Sequence, residues 1–382
     1  MKRGWTYKKL GEVARVQNGY AFDSKLFNEN GNGTPLIRIR DIKRNHTLTH
    51  TTENCSEEFN VENGDLLIGM DGDFNVCAWE GGHAYLNQRV CHVVPSNQVM
   101  TRFLYYLLPF PLKRINDKTT FATVKHLSSK QVSNIIMPVP DIKEQKRIVE
   151  RLDAAFEQID ELKANAEKQL TEARALFQKS LSKAMEPKEG WEEKTLKEVS
   201  TISGDYGLSV SSKPFDGVRY LRITDITDLG DLNDDKVSAN VDDSKKQEEL
   251  EEGDILFART GATVGKTLVY RKEFGECLFA GYLIRYRLNK DVISPRFMYY
   301  ITHSDEYYDW VNVNQEAAAQ PNISAKKYNL LPIKYPSLSE QQRIVERLDS
   351  ISENVRKYEE IKQKIIAECD ALKQALLRQV FE

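Results

Sequence analysis

Apolar residues follow two different rhythms along the chain. Short dense runs, Leu36 to Ile42, Asp65 to Ile68, Asp254 to Phe257 and Leu283 to Leu288, read as strands. Gly, Asn and Asp clusters punctuate them, as at 30–33 and 69–73. Two long stretches instead place apolar residues at steps of three and four. One runs Ile148, Leu152, Phe156, Ile159, Leu162, Ala166, Leu170, Ala173, Phe177, Leu181; the other runs Ile344, Leu348, Ile351, Val355, Tyr358, Ile361, Ile365, Cys369, Leu372, Leu376, Val380. Neither contains Gly or Pro up to Pro187 or the C-terminus, so each predicts a helix of about 40 residues, roughly 60 Å long. Pro138, Pro140, Asp141 and Glu144 predict a capping box at the first start, and Pro336, Ser337 and Glu340 repeat it at the second.

The two rhythms belong to one repeated unit. EQKRIVERLDA at 144–154 returns as EQQRIVERLDS at 340–350, with nine of eleven positions identical. Weaker matches keep the same order: GWTYKKLGEV at 4–13 with GWEEKTLKEV at 190–199, LIRIRDI at 36–42 with YLRITDI at 220–226, NGDLLIGMDG at 63–72 with EGDILFARTG at 252–261, and FLYYLL at 103–108 with FMYYIT at 297–302. Two copies of about 190 residues are too few and too large for a solenoid. They predict a mixed α/β fold: globular domains at 1–140 and 187–336, separated by helices at 141–186 and 337–382. A lone helix with one apolar stripe needs a partner. Pseudo-two-fold symmetry then makes the two helices an antiparallel coiled coil, the alternative being that each stripe docks only on its own domain. Duplicated surfaces suit a ligand with approximate two-fold symmetry, of which duplex DNA is the commonest.

Composition narrows the class. Charged residues make up 29% and apolar residues 40%, with a formal net charge of −3, so any DNA contact must come from local basic patches. No apolar run reaches the roughly 18–20 residues of a membrane span, and MKRGWTYKKLGEV does not read as a signal peptide, so no membrane is expected. Cys55, Cys77, Cys91, Cys277 and Cys369 are dispersed without a C-x-x-C pair, which points to a reducing cytoplasm and to no zinc site.

No catalytic constellation stands out. Gly261 to Thr267, GATVGKT, has three residues between its glycines where a phosphate loop needs four, and reads as a hairpin. His46, His50, His83, His92, His126 and His303 form no H-E-x-x-H or Cys-paired ligand set. There is no G-x-S-x-G elbow and no N-P-P-aromatic methylase motif.

These features together resemble the specificity subunits of type I restriction–modification systems. The residues that carry the resemblance are Trp5, Leu10 to Val13, Arg38 to Ile42, Gly64 to Leu67 and Glu144 to Asp153 in the first half. In the second they are Trp191, Leu196 to Val199, Arg222 to Ile226, Gly253 to Leu256, Arg259 to Lys266 and Glu340 to Asp349. The first half departs from the pattern at Asp71 to Asn75, where Gly-Ala-Thr would be expected. The resemblance implies a non-catalytic chain with two target recognition domains, each reading half of a split double-stranded DNA sequence, and helices that set the gap. It implies two methyltransferase (modification) subunits and two restriction (motor-nuclease) subunits as partners. S-adenosylmethionine, ATP and Mg would lie in those partners, with no cofactor here. The alternatives are a standalone tandem DNA-binding regulator and an enzyme built on 261–267.

Positions that differ between the copies are free to read different bases, since phosphate contacts position and base contacts specify. Arg38 and Arg222 are shared, as are Asp41 and Asp225, so each arginine is either ion-paired to its aspartate or a phosphate contact. Alternation places Arg38 and Arg40 on one strand face, and Arg40, which is Thr224 in the second copy, is a candidate base reader. Lys43, Arg44 and Asn45 extend it as a basic loop. Hairpin candidates are Asp71, Asp73 and Asn75, and Arg259, Thr260, Thr263 and Lys266; Gln88, Arg89 and Tyr282 follow on the next segment. Thr119, Thr120, Thr123 and Lys125, and Asn314, Gln315, Gln320 and Asn322, precede the helices. Arg147, Glu150, Arg151, Arg343, Glu346 and Arg347, identical in the two copies, read either as a solvated face or as partner contacts.

Overall fold

The computed structural model describes residues 5–118, 125–228, 230–241, 249–315 and 321–382. The chain forms two compact units, Met1–Ala166 with Lys364–Glu382, and Glu167–Gln363. Each is a mixed α/β body around a four-stranded antiparallel sheet.

In the first unit the strands are β1 (Ala14–Asn18), β2 (Leu66–Gly69), β3 (Val76–Ala78) and β4 (Val90–Pro95), in the order β1-β4-β2-β3. In the second they are β5 (Ser200–Tyr206), β6 (Ile255–Ala258), β7 (Thr267–Val269) and β8 (Leu283–Leu288), in the corresponding order β5-β8-β6-β7. A ribbon of Thr6–Lys9 with Ile136–Val139 has its counterpart in Glu192–Thr195 with Pro332–Tyr335. Thr34–Ile37 runs parallel to Ala84–Leu86, as Arg219–Leu221 does to Cys277–Phe279.

The central strands are apolar on both faces because each sheet separates two cores. Leu66 and Ile68 join Phe103, Leu104 and Leu152 on one side, while Leu67 joins Ile37, Ile42 and Trp79 on the other. Ile255 and Phe257 likewise join Phe297 and Leu348, while Leu256 and Ala258 join Leu221 and Phe279. That is why GDLLIG and GDILFA read as unbroken runs rather than alternations.

The long helices are α1 (Ile142–Met185) and α2 (Leu338–Phe381), 44 residues each, or about 66 Å. Within the first unit the start of α1 meets the end of α2: Ile148, Leu152 and Phe156 share a core with Leu376, Leu377 and Phe381. Lys163 pairs with Asp370 at 2.8 Å, and Lys373 pairs with Asp160. Within the second unit the end of α1 meets the start of α2. Leu181 and Met185 pack with Val345 and Leu348, and Arg174 pairs with Glu359 at 2.6 Å. Both pairings are antiparallel, and they combine with docking onto the globular body rather than excluding it.

The structure corrects four expectations. The segment Leu36 to Ile42 is not one strand: the strand ends at Ile37 and Ile39–Asp41 is a tight helical turn. The cause is Asp41, whose carboxylate accepts from the Arg38 amide at 2.8 Å, so strand alternation does not place Arg38 and Arg40 on a common face. The capping box is only half formed. Asp141 accepts from the Glu144 amide at 2.8 Å, but the Glu144 carboxylate turns outward to Arg147 at 2.7 and 2.8 Å. Ser337 turns its hydroxyl to Ser339, and its backbone carbonyl takes the Glu340 amide. Finally, the apolar stripe is narrower than its spacing suggests: Leu162, Tyr358, Ile361 and Leu372 are exposed. The three- and four-residue steps average about 3.6 and so hold one face; these residues are exposed because the packed contact is narrower than that face.

The repeated E-Q-x-R-I-V-E-R-L-D acquires a structural reason. Gln145 and Gln341 are fully buried. Gln145 donates to the carbonyls of Pro140 and Gln98 and accepts from the Met100 amide, at 2.8, 2.9 and 2.9 Å. Gln341 does the same with Pro336, Val292 and Ser294, at 2.9, 2.9 and 2.8 Å. One turn beyond the apolar residues, Asp153 receives Arg102 and Tyr106, and Asp349 receives Arg296 and Tyr300. Burial first, then the bond to the aspartate, pushes both tyrosine hydroxyls well above their usual pKa. The motif is a clamp holding each globular body to its helix.

Candidate DNA interface

Three loops that are distant in sequence meet at one edge of each unit, joined by main-chain hydrogen bonds. In the first unit the Met70 amide donates to the Arg89 carbonyl at 3.0 Å, the Gly72 amide to Lys125 at 2.9 Å, and the Leu127 amide to Met70 at 2.7 Å. In the second the Arg259 amide donates to Tyr282 at 3.0 Å, the Gly261 amide to Pro321 at 2.9 Å, and the Ile323 amide to Arg259 at 2.9 Å. Asp71 forms a bridge with His126, and Thr260 with Asn322. The main-chain scheme is the same; the side chains it presents are not. The first unit offers Asp71, Arg89 and His126, with His126 Nδ1 at 2.7 Å from Asp71 and Arg89 at 3.3 Å from His126. The second offers Arg259, Tyr282 and Asn322, with Arg259 donating from Nε to Asn322 at 3.2 Å and lying over the Tyr206 ring at 4.9 Å.

Of the residues singled out in the sequence, Arg89, Lys125, Arg259, Thr260, Tyr282 and Asn322 converge on these two loop clusters. Lys125 turns its ammonium to the Asn116 carbonyl and side chain at 2.7 and 2.8 Å. Thr263 closes the tip with a bond to the Thr260 carbonyl at 3.1 Å. Gln88 is exposed beside Arg89, and Asn75 gives its carbonyl to the Gly69 amide. Lys43 pairs with Asp73 at 2.7 Å, an exposed contact that holds the Asp73 carboxyl below its usual pKa. Arg44 is exposed on the same turn, and Asn45 is a structural residue that bonds Ala78 and Glu80.

Other candidates are held elsewhere. Arg40 reaches Thr49 at 2.9 Å and Glu29 at 3.3 Å. The Arg38 guanidinium lies over the Phe27 ring at 5.6 Å. Its counterpart Arg222 is an ion pair, bonded to buried Asp225 at 2.7 Å and to Asp235 at 2.8 Å, so its pKa rises, mainly through Asp225. Thr224 is exposed, with its carbonyl taken by Asn233. Lys266 pairs with Asp228 at 2.6 Å. Thr267, next to it, is buried against Thr302, and the carbonyl of Gly265 accepts from Tyr307. The 261–267 segment is therefore a packed hairpin connection between β6 and β7. Thr123 and Gln320 lie outside the described residues.

Asp71, a hairpin candidate, also lies here, together with His126 and Tyr206, which the sequence does not single out for DNA contact. A signal for His126 was present: H-L-S-S-K at 126–130 returns as N-I-S-A-K at 322–326.

On the helices, Arg147 pairs with Glu144, Glu150 lies 3.8 Å from Lys146, and Glu346 accepts from Gln342 at 2.9 Å. Arg151, Arg343 and Arg347 are exposed. Among the described residues there is no cluster of His, Cys, Asp and Glu suited to a metal ion, and no helix long and apolar enough to cross a membrane.

Comparison with known proteins agrees with this geometry. The sequence matches the type I restriction modification DNA specificity domain twice, over residues 2–172 and 188–367. It is 30% identical to the EcoBI type I restriction enzyme specificity subunit of Escherichia coli, covering 99% of this chain and 85% of that protein. It is 24% identical to the EcoKI specificity subunit of Escherichia coli strain K12, with the same coverage. The fold is similar to a chain solved in work on complex assembly and conformational transition of the type I R-M system, with a TM-score of 0.78, 20% identity, and coverage of 100% and 98%. It is also similar to the HsdS subunit from Thermoanaerobacter tengcongensis, with a TM-score of 0.57, 20% identity, and coverage of 100% and 97%. Carrying this domain twice across nearly its whole length, the chain belongs to the family of type I restriction–modification DNA specificity subunits.

Proposed function

We propose that each globular body reads one half of a bipartite double-stranded DNA target, that α1 and α2 set the spacing between the halves, and that the chain itself catalyses nothing. The observation that carries this is the contrast between what the two units share and what they do not. The clamp at Gln145 and Gln341 is the same in every hydrogen bond. The loop clusters keep the same main-chain bonds but present different side chains. Shared duties and divergent reading are what a two-half target requires.

Chemistry then falls to partners: two methyltransferase subunits using S-adenosylmethionine and, for cleavage, two motor-nuclease subunits using ATP and Mg, assembled in the cytoplasm. The helices supply surface for them. Leu162, Leu176, Ile361 and Leu372 leave apolar area exposed, and Arg151 and Arg347 are matching charges. The target base would be flipped into the methyltransferase, not into this chain.

Co-expression with the modification subunits, followed by mapping of methylated adenines, tests the reading. A bipartite motif is expected, and replacing residues 187–336 with the matching segment of another family member should alter one half only. A contiguous motif, or a swap that changes both halves, would overturn it.

A further inference from the structure

We propose that each unit reads one guanine through one arginine, Arg89 in the first and Arg259 in the second, and that these arginines stand on opposite sides of the same backbone hydrogen bond. The inference rests on the DNA-reading function proposed above and assigns its specificity-determining side chains.

The bond in question is Met70 to Arg89 in the first unit and Arg259 to Tyr282 in the second, 3.0 Å in each. The arginine occupies the acceptor strand in one unit and the donor strand in the other. It is exposed or half-buried at a point where three loops are locked by main-chain atoms. A locked backbone presents a side chain at low entropic cost, which a base reader needs.

The supports leave one edge of each guanidinium open. Arg89 is held through Nη1 by its ion pair with Asp71 at 3.6 Å, beside the His126 ring, which leaves the edge formed by Nε and Nη2. Arg259 is held through Nε by Asn322 and across its face by Tyr206, which leaves its two terminal nitrogens. Either edge is a two-donor fork, and the major-groove partner for such a fork is guanine, with O6 and N7 both acceptors. Asp71 argues against a phosphate as the partner of Arg89, because a carboxylate 3.6 Å away repels a second anion. Among the described residues no carboxylate pairs with Arg259, and the exposed ring of Tyr206 lies against it, while exposed Tyr282 takes its main-chain amide. Arg222, by contrast, has both Nε and Nη2 taken by the carboxylates of Asp225 and Asp235. Because the arginine changes strand, the two guanines should sit at different positions within their half-sites.

The test uses the complex of this chain with its modification subunits. Its methylated motif is mapped, and duplexes carrying 7-deazaguanine at each motif guanine in turn are measured for binding. One guanine in each half should lose roughly tenfold to a hundredfold in affinity when N7 is removed. Arg89→Gln should abolish that sensitivity in one half and Arg259→Gln in the other. Amide-exchange protection of Leu127 in the first variant and Ile323 in the second reports that the substituted unit is folded, and the wild-type 7-deaza series needs no variant at all. A half-site without a G·C pair, a 7-deaza series that binds like the parent duplex, or variants that keep the wild-type discrimination would overturn the inference while leaving the bipartite reading intact. Absence of any bipartite methylation by the wild-type complex would remove both.

Discussion

Replacing Gln341 with alanine should selectively weaken the second unit. The side chain is fully buried and makes three hydrogen bonds, to the carbonyls of Pro336 and Val292 and from the Ser294 amide. Gln341→Ala leaves all three main-chain groups without that partner. A buried polar group so orphaned costs about 1–3 kcal/mol, and water entering the vacated space recovers part of it. The net loss works out at about 4 kcal/mol. In a unit of this size that lowers the melting temperature by roughly 10 °C. Calorimetry of the full chain should show one of its transitions moving and the other staying. Amide exchange gives the local reading: Ser294 should lose protection while Met100, held by Gln145 at 2.9 Å, keeps it. A change under about 1 kcal/mol with Ser294 still protected, or equal loss at Met100, would refute the clamp.

Two further outcomes follow from the same contacts. His303 is half-buried against Tyr299, with ring centroids 4.1 Å apart, and its partial burial lowers its pKa below 6.5. A depressed histidine favours the folded state fully above its unfolded value and progressively less as pH falls below it, so the second unit should lose stability as pH drops below about 6.5; denaturation series at stepped pH should show a slope that His303→Asn removes. A side chain on Gly207 would meet the carbonyl oxygens of Phe279 and Ala280 at 2.2 and 2.3 Å; Gly207→Ala should therefore cost about 2–4 kcal/mol in chemical denaturation and displace the adjacent Tyr206 ring, with no effect on the first unit.

The sequence revealed most where one element decides its own structure. A stretch of 44 residues free of Gly and Pro with apolar steps of three and four can only be a helix, and the duplicated motif announced two of them. It revealed less where a side chain redirects the backbone: Asp41 ends a strand that the apolar pattern would continue. It was silent where distant segments meet. Nothing local in Met70, Arg89 and Leu127 says that they share main-chain bonds, so His126 and Tyr206 could be placed beside the arginines only once the fold was known. The pairing of α1 with α2 was legible as a need for a partner, but the exposure of Leu162 and Leu372 depends on which narrow stripe that partner takes.

The bonds that fasten the three loops run from amide to carbonyl and ignore what hangs from the α-carbons at 71, 89 and 126, or at 259, 260, 282 and 322. Such a frame behaves like a typesetter's forme: the letters can be exchanged while the metal around them stays clamped. Substitutions there should drift quickly among relatives at little thermodynamic penalty, so that new vocabularies arise by point changes at a handful of codons without the body having to be reinvented.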